Sequence, residues 1–306
     1  MRTMTAIVGA LLMLLSSAMT THAQVVIPQP DLALGSQLIF YYDAREGFTT
    51  FVNIHNNGNS GGPLNIQLDV WGPTFDVGTK VTKTFSLAPF GTRVTDIGAL
   101  KTTDGLAAQQ GIVVASILDG SGLPIQQRAL MGNFTVANLA TGSAWGSPAL
   151  GRSARKVTDG SPPADGTEVD GSLVVYQIIQ PDTLALATYY NPQSLAPVED
   201  HGNQLIFVNF KDGVGAGAPL IEATTDWTAV VFGGSDATLL GGTFEVTGVT
   251  ERDLVELLGA EANGAAGGGG FARAFATPLD TANRLIFFVQ ALGTFGTGYL
   301  LPPLLF

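Results

Sequence analysis

Gly58-Asn59-Ser60-Gly61-Gly62-Pro63 sets the first chemical question. A serine in this glycine-rich setting resembles the nucleophile loop of trypsin-like proteases, and a nucleophile needs a histidine base within hydrogen-bond reach. The chain has three histidines, and only His55 and His201 lie beyond residue 23. In the trypsin-like order the serine comes last, behind a complete β-barrel, whereas Ser60 stands near the start. His55 sits five positions away on an apolar, strand-like segment, and a strand separates such positions at ~3.3 Å per residue. There is also no Gly-x-Ser-x-Gly elbow between a strand and a helix. The expectation is a glycine-asparagine hairpin loop between Phe51–Ile54 and Leu64–Val70, with a serine hydrolase using this loop kept as a remote alternative.

Other chemistry has fewer residues to draw on. No cysteine and two remaining histidines do not make a structural zinc site without carboxylates. Calcium needs only oxygen ligands. Its candidates are Asp159, Asp165, Glu168 and Asp170 in one acidic stretch, with Asp43 and Glu46 as a second pair. Asp43-Ala44-Arg45-Glu46 reads better as a local ion pair. Trp71, Trp145 and Trp227 are the candidate platforms for a sugar ligand. Gly267–Gly270 lacks the lysine and the Ser/Thr of a phosphate loop and reads as a tip.

The elements that must position these residues are strands. Leu64, Ile66, Leu68 and Val70 alternate with polar neighbours, and Lys80–Leu87 does the same. Gly111–Leu118, Ser172–Ile179, Leu184–Tyr190 and Arg284–Ala291 are apolar or β-branched runs bounded by turn residues. Asp-Gly recurs at 104–105, 119–120, 159–160, 165–166, 170–171 and 212–213, supplying the backbone freedom of tight turns. With 39 glycines and no alternating helical pattern, the expected fold is all-β: antiparallel β-sandwiches, Ig-like or jelly-roll-like, with one or two short helices. Thr250–Gly259 is the best helix candidate, because Thr250 and Asp253 suit a first turn and Leu254, Leu257 and Leu258 share a face. A turn or two is also expected within 103–110.

Arg2, the apolar Ala6–Leu15 and the small-residue site at Thr21-His22-Ala23 form a secretory signal peptide. Its apolar run falls short of the ~20 residues that span a bilayer. The expected organisation is a signal peptide over 1–23, a β-sandwich module over 24–151, a linker or long loop over 152–171, and a second β-rich module over 172–306. Gly35–Phe40 (GSQLIF) is echoed by Gly202–Phe207 (GNQLIF) and by Asn283–Phe287, which is compatible with related modules. The formal charge is −11, with 14 basic against 25 acidic residues, and loss of Arg2 with the leader makes it −12. That balance argues against nucleic acid and anionic lipid as partners. Only 13% of residues are charged, about half the usual share, so the surface is quiet.

Leu38–Asp43 running into Gly47–Ile54, then Ala129–Val136, then Ile286–Gln290, together resemble a loose group of secreted proteobacterial proteins. That group has no assigned activity, and its members share a start of the form YY-x-x-R-x-G-x-x-T. Tyr41, Tyr42, Arg45, Gly47 and Thr50 match that start. The resemblance implies a secreted β-rich fold and carries no catalytic residue. The expected function is therefore an exported, non-enzymatic structural, adhesive or interaction protein of the cell envelope or extracellular matrix. Its expected partners are a second copy or another envelope protein, with polysaccharide as the alternative ligand. Neither a resident cofactor nor a transmembrane span is expected. A carbohydrate-binding module or glycan-active enzyme is the main alternative.

Overall fold

A computed structural model of the chain describes residues 34–125, 127–152, 154–156, 174–176, 185–189, 204–212, 219–233, 238–253, 270–276, 283–292 and 295–300. The described residues are mostly antiparallel strands, and the fold is an all-β sandwich assembly. The expected signal peptide over 1–23, most of the 152–171 segment, His201 and the Gly267–Gly269 part of the glycine run lie outside them.

The first set of strands is β1 (Gln37–Asp43), β2 (Phe48–Asn56), β3 (Leu64–Trp71), β4 (Val81–Leu87), β5 (Thr92–Asp96), β6 (Gln110–Leu118), β7 (Leu130–Asn138) and β8 (Ala144–Pro148). One sheet runs β4-β3-β6-β1 and ends on β9 (Leu150–Arg152), and a second contains β8-β7-β2-β5. The alternation read in Leu64–Val70 is the burial pattern found, with Leu64, Ile66, Leu68 and Val70 inside. β1 and β6 are buried nearly throughout, which is why they read as continuous apolar runs rather than alternating ones.

β10 (Ala154–Lys156) and β11 (Val174–Tyr176) pair with each other. The later strands are β12 (Ala185–Tyr189), β13 (Gln204–Asp212), β14 (Leu220–Glu222), β15 (Thr224–Gly233), β16 (Thr238–Thr247), β17 (Val249–Asp253), β18 (Gly270–Ala276), β19 (Asn283–Leu292) and β20 (Phe295–Leu300). Their pairing repeats the first set. In the first set β1 pairs β6, β3 pairs β6 and β4, β2 pairs β5 and β7, and β7 pairs β8. In the second, β12 pairs β18, β15 pairs β18 and β16, β13 pairs β17 and β19, and β19 pairs β20. Apart from the additional β14, which pairs β13, the pairing is duplicated in the same chain order. The short sequence echo linked β1 to β13, whereas the topological counterpart of β13 is β2.

The two sets share one long sheet. β8 and β20, which are topological counterparts, meet in parallel at Ala144 and Phe295, giving the order β14-β13-β19-β20-β8-β7-β2-β5. Counterparts mirror each other about that joint over β13-β19-β20 and β8-β7-β2, while β17, the counterpart of β5, pairs β13 off this path and β14 ends the order. β13 is buried on both faces: Ile206, Val208 and Phe210 join the core of the first set, while Phe207 packs on Trp227 and Phe244 with ring centroids 5.1 and 5.3 Å away. Leu285, Phe287 and Val289 of β19 join the same first core. The loop after β3 locks the seam. Phe75 is buried against Phe210 at 5.7 Å, and Val249 N–H donates to the Pro73 carbonyl at 3.0 Å. Gly248 has φ +58, and a Cβ there would lie 2.0 Å from that carbonyl oxygen, so glycine is required.

Helix is confined to α1 (Leu100–Thr103) and a 3-10 turn at Val77–Thr79 among the described residues. The helix expected over Thr250–Gly259 is corrected in its first part. Val249–Asp253 is a strand in register with β13, and residues 254–259 lie outside the described set. The Thr250 hydroxyl donates to the Thr247 carbonyl instead of capping a helix. A β-branched pair followed by a glutamate held by the opposite sandwich overrode a short-range helical pattern. In the 103–110 stretch, the helical turn ends at Thr103 and Gln110 already opens β6.

Candidate functional site

The Ser60 loop is a self-contained turn. The Asn56 side-chain oxygen accepts from Gly58 N–H at 3.0 Å, Asn57 does the same for Asn59, and Gly61 N–H donates to the Gly58 carbonyl. Gly58 and Gly61 supply the positive φ values of 82 and 66. Ser60 Oγ donates to the Gly62 carbonyl at 2.6 Å. His55 Nδ1 pairs with Thr92 Oγ1 at 2.9 Å on the neighbouring strand. The structure does not bring the serine and the histidine together.

The three tryptophans are interior. Trp71, Trp145 and Trp227 are 2%, 4% and 1% exposed. Trp145 stacks on Tyr41 at 5.8 Å and meets Phe134 edge-on, and the Lys80 ammonium lies 4.9 Å above the Trp71 ring. None stands on the surface as a flat platform. Asp159, Asp165, Glu168 and Asp170 lie outside the described residues. Among those described, no group of three or more His, Asp or Glu side chains is placed to hold a metal. No helix among them is long and apolar enough to cross a membrane.

The densest polar convergence is the hairpin that carries the YY-x-x-R-x-G-x-x-T start. Asp43, fully buried, accepts a bidentate contact from Arg45, with Nη2 at 2.6 Å and Nε at 3.0 Å from Oδ2. The Thr50 hydroxyl closes the hairpin by accepting from Asp43 N–H and donating to the Asp43 carbonyl, each at 2.8 Å. Gly47, at φ +81, makes the turn. Arg45 then reaches Glu251 of β17 at 3.4 Å. Glu251 also accepts from Tyr41 Oη and from Gln110 Nε2, the latter at 2.8 Å. The motif is thus a clamp between the duplicated sets. Burial, followed by the negative charges of Glu251 and Asp43, holds the Tyr41 hydroxyl well above the ordinary phenol range. Burial does the same to Tyr42, whose hydroxyl has no partner. The local ion pair expected at Asp43 and Arg45 is present. The link to Glu251, 206 positions from Arg45, left no mark in either segment.

Beside the clamp lies a shallow cavity of about 360 Å³ lined by Arg45, Glu46, Phe48 and Gln109. Its one cation, Arg45, is already engaged by the Asp43 and Glu251 carboxylates.

Among the described residues, the other feature is an open sheet edge. β5 ends the long sheet and β4 ends the shorter one, and the Ala88–Gly91 turn joins them. Phe90 and Val94 are 73% and 57% exposed, and Phe85 is half-buried under the Arg93 guanidinium at 4.6 Å. Large exposed apolar groups on an unpaired edge are what a monomer normally avoids. Period-two reading placed Phe85 correctly but gave no hint of Phe90, which lies in a turn.

No family model matches the chain, and neither the curated proteins nor the solved structures contain a match.

Proposed function

We propose that the chain is an exported, non-enzymatic structural or interaction protein of the cell envelope or extracellular matrix, acting by association through its sheet edges. The observation that carries this reading is the edge of β4 and β5, with exposed Phe90 and Val94 beside strand backbone that no other strand pairs among the described residues. The long sheet, already extended sideways at β8 and β20, supports it. The enclosed tryptophans and the separated Ser60 and His55 offer no specific support to a glycan-binding or hydrolytic reading.

Light scattering on the purified, exported protein over a range of concentrations tests the reading, together with capture from envelope extracts. Concentration-dependent assemblies, or a specific envelope partner, are expected. A monodisperse monomer at high concentration that captures nothing would overturn it.

A further inference from the structure

The backbone of β5 defines how a second copy would add to it. Asn56 N–H donates to the Gly91 carbonyl and Ile97 N–H to the Thr50 carbonyl. In an antiparallel ladder the bonded positions alternate, so Gly91, Arg93, Thr95 and Ile97 face β2. The N–H and C=O groups of Thr92, Val94 and Asp96 therefore point away from the sheet, and no strand lies beyond them among the described residues.

We propose that two copies of this chain join antiparallel through β5 in the register that sets Val94 opposite Val94. This inference rests on the self-association reading and names its surface. The register follows from the strand itself. It is the one that puts all three outward residues of each copy opposite outward residues of the other, with Thr92 against Asp96. Arg93 then faces Thr95, so no like charges are directly opposed, in a chain whose formal charge is −11. A one-residue slip would set outward groups against inward ones. The strand also carries no proline, lysine or bulge that would blunt it.

Phe90 supplies a side-chain anchor. It and Phe75 are the described non-glycine residues with positive φ, at 59 and 54. A bulky side chain in this region is strained, and such strain persists where surrounding contacts impose it. Phe75 is held by burial across the seam against Phe210. Phe90 covers only the Gly58 backbone on one side and is otherwise in solvent. In the Val94-centred register the exposed Phe90, in the turn just before β5, lies at the end of the ladder toward the turn that follows β5 in the second copy. The chain contains its own precedent for lateral addition, because the counterpart strands β8 and β20 extend the same sheet.

Sedimentation velocity on the purified protein tests the proposal with three variants. Val94→Pro removes an outward N–H and leaves the bonds to β2 intact, as proline on an edge strand allows. Phe90→Gly removes the anchor and suits the positive φ. Ile221→Ser, at an exposed apolar site on β14 at the far end of the sheet, is the control. The wild type and Ile221→Ser are expected to dimerise alike. Val94→Pro and Phe90→Gly should weaken the dimer about 100-fold or more, with unchanged circular dichroism. A dimer indifferent to both β5 variants would overturn the β5 interface while leaving self-association standing. A wild type that stays monomeric at every concentration would overturn both.

Discussion

Arg152 Nη2 lies 2.5 Å from Asp212 Oδ2, joining the last strand of the first sheet to the end of β13. The guanidinium is 1% exposed and sits between the Tyr176 and Phe210 rings, with centroids 5.1 and 5.7 Å away. Asn283 Nδ2 holds the same carboxylate oxygen at 3.1 Å. With the Arg45 and Glu251 contact, this makes the seam between the duplicated sets polar at two places and apolar between them. Asp212→Ala would leave a buried cation without its carboxylate and is expected to cost about 3 kcal/mol. Urea unfolding of the variant measures it, and a loss below about 0.5 kcal/mol would show that solvent reaches the pair freely.

Tyr42 gives a prediction of opposite sign. Its hydroxyl is buried without a partner, so Tyr42→Phe deletes a polar group that lost its water on folding. Stability is expected to hold or to rise by about 1 kcal/mol. Tyr41→Phe removes a hydrogen bond to the Glu251 carboxylate and is expected to lose about 2 kcal/mol. The two neighbours therefore separate in one thermal-unfolding experiment, and equal effects would contradict this assignment of partners.

The same tyrosines set an alkaline limit. Both folded-state values are raised, so the unfolded chain gives up these protons first as pH climbs past the ordinary phenol value of 10.0. Their contribution is fully present below that pH and is lost above it. The slope is about −1.4 kcal/mol per pH unit for each tyrosine. Tyr42→Phe should remove its share, and a pH titration of the unfolding midpoint from 8 to 11 reads the difference.

Phe75 and Phe90 share a backbone conformation and differ in burial, so substitution should separate them. Phe75→Ala opens a cavity at the seam and is expected to cost about 4 kcal/mol. Phe90→Gly loses little packing and relieves a positive φ, with an expected gain of about 1 kcal/mol. Denaturant midpoints of the two variants should move in opposite directions.

Period-two patterning and turn chemistry located the strands well. Lys80–Leu87, Gly111–Leu118 and Arg284–Ala291 fall within one or two residues of β4, β6 and β19, because each burial face is written locally in residue type. The duplication was not legible. β1 and β13 share letters because both are buried strands, while the counterparts β2 and β13, each nine residues long, share only Phe-Val-Asn (Phe51–Asn53 and Phe207–Asn209), a match too short to stand out in the sequence. Thr250–Asp253 misled for a related reason: the residues that hold Glu251 in a strand are Tyr41, Arg45 and Gln110, far away in the chain. Ser60 was legible as a loop residue, since Asn56, Gly58 and Gly61 carry the turn in their own chemistry.

Amide hydrogen exchange in β5, followed residue by residue at low and high protein concentration, tests the edge most directly. Arg93 and Thr95 should be protected at both concentrations, because their N–H groups bond to β2. Thr92, Val94 and Asp96 should exchange fast when dilute and become protected when concentrated. Exchange at these three positions that ignores concentration would contradict a β5-to-β5 contact.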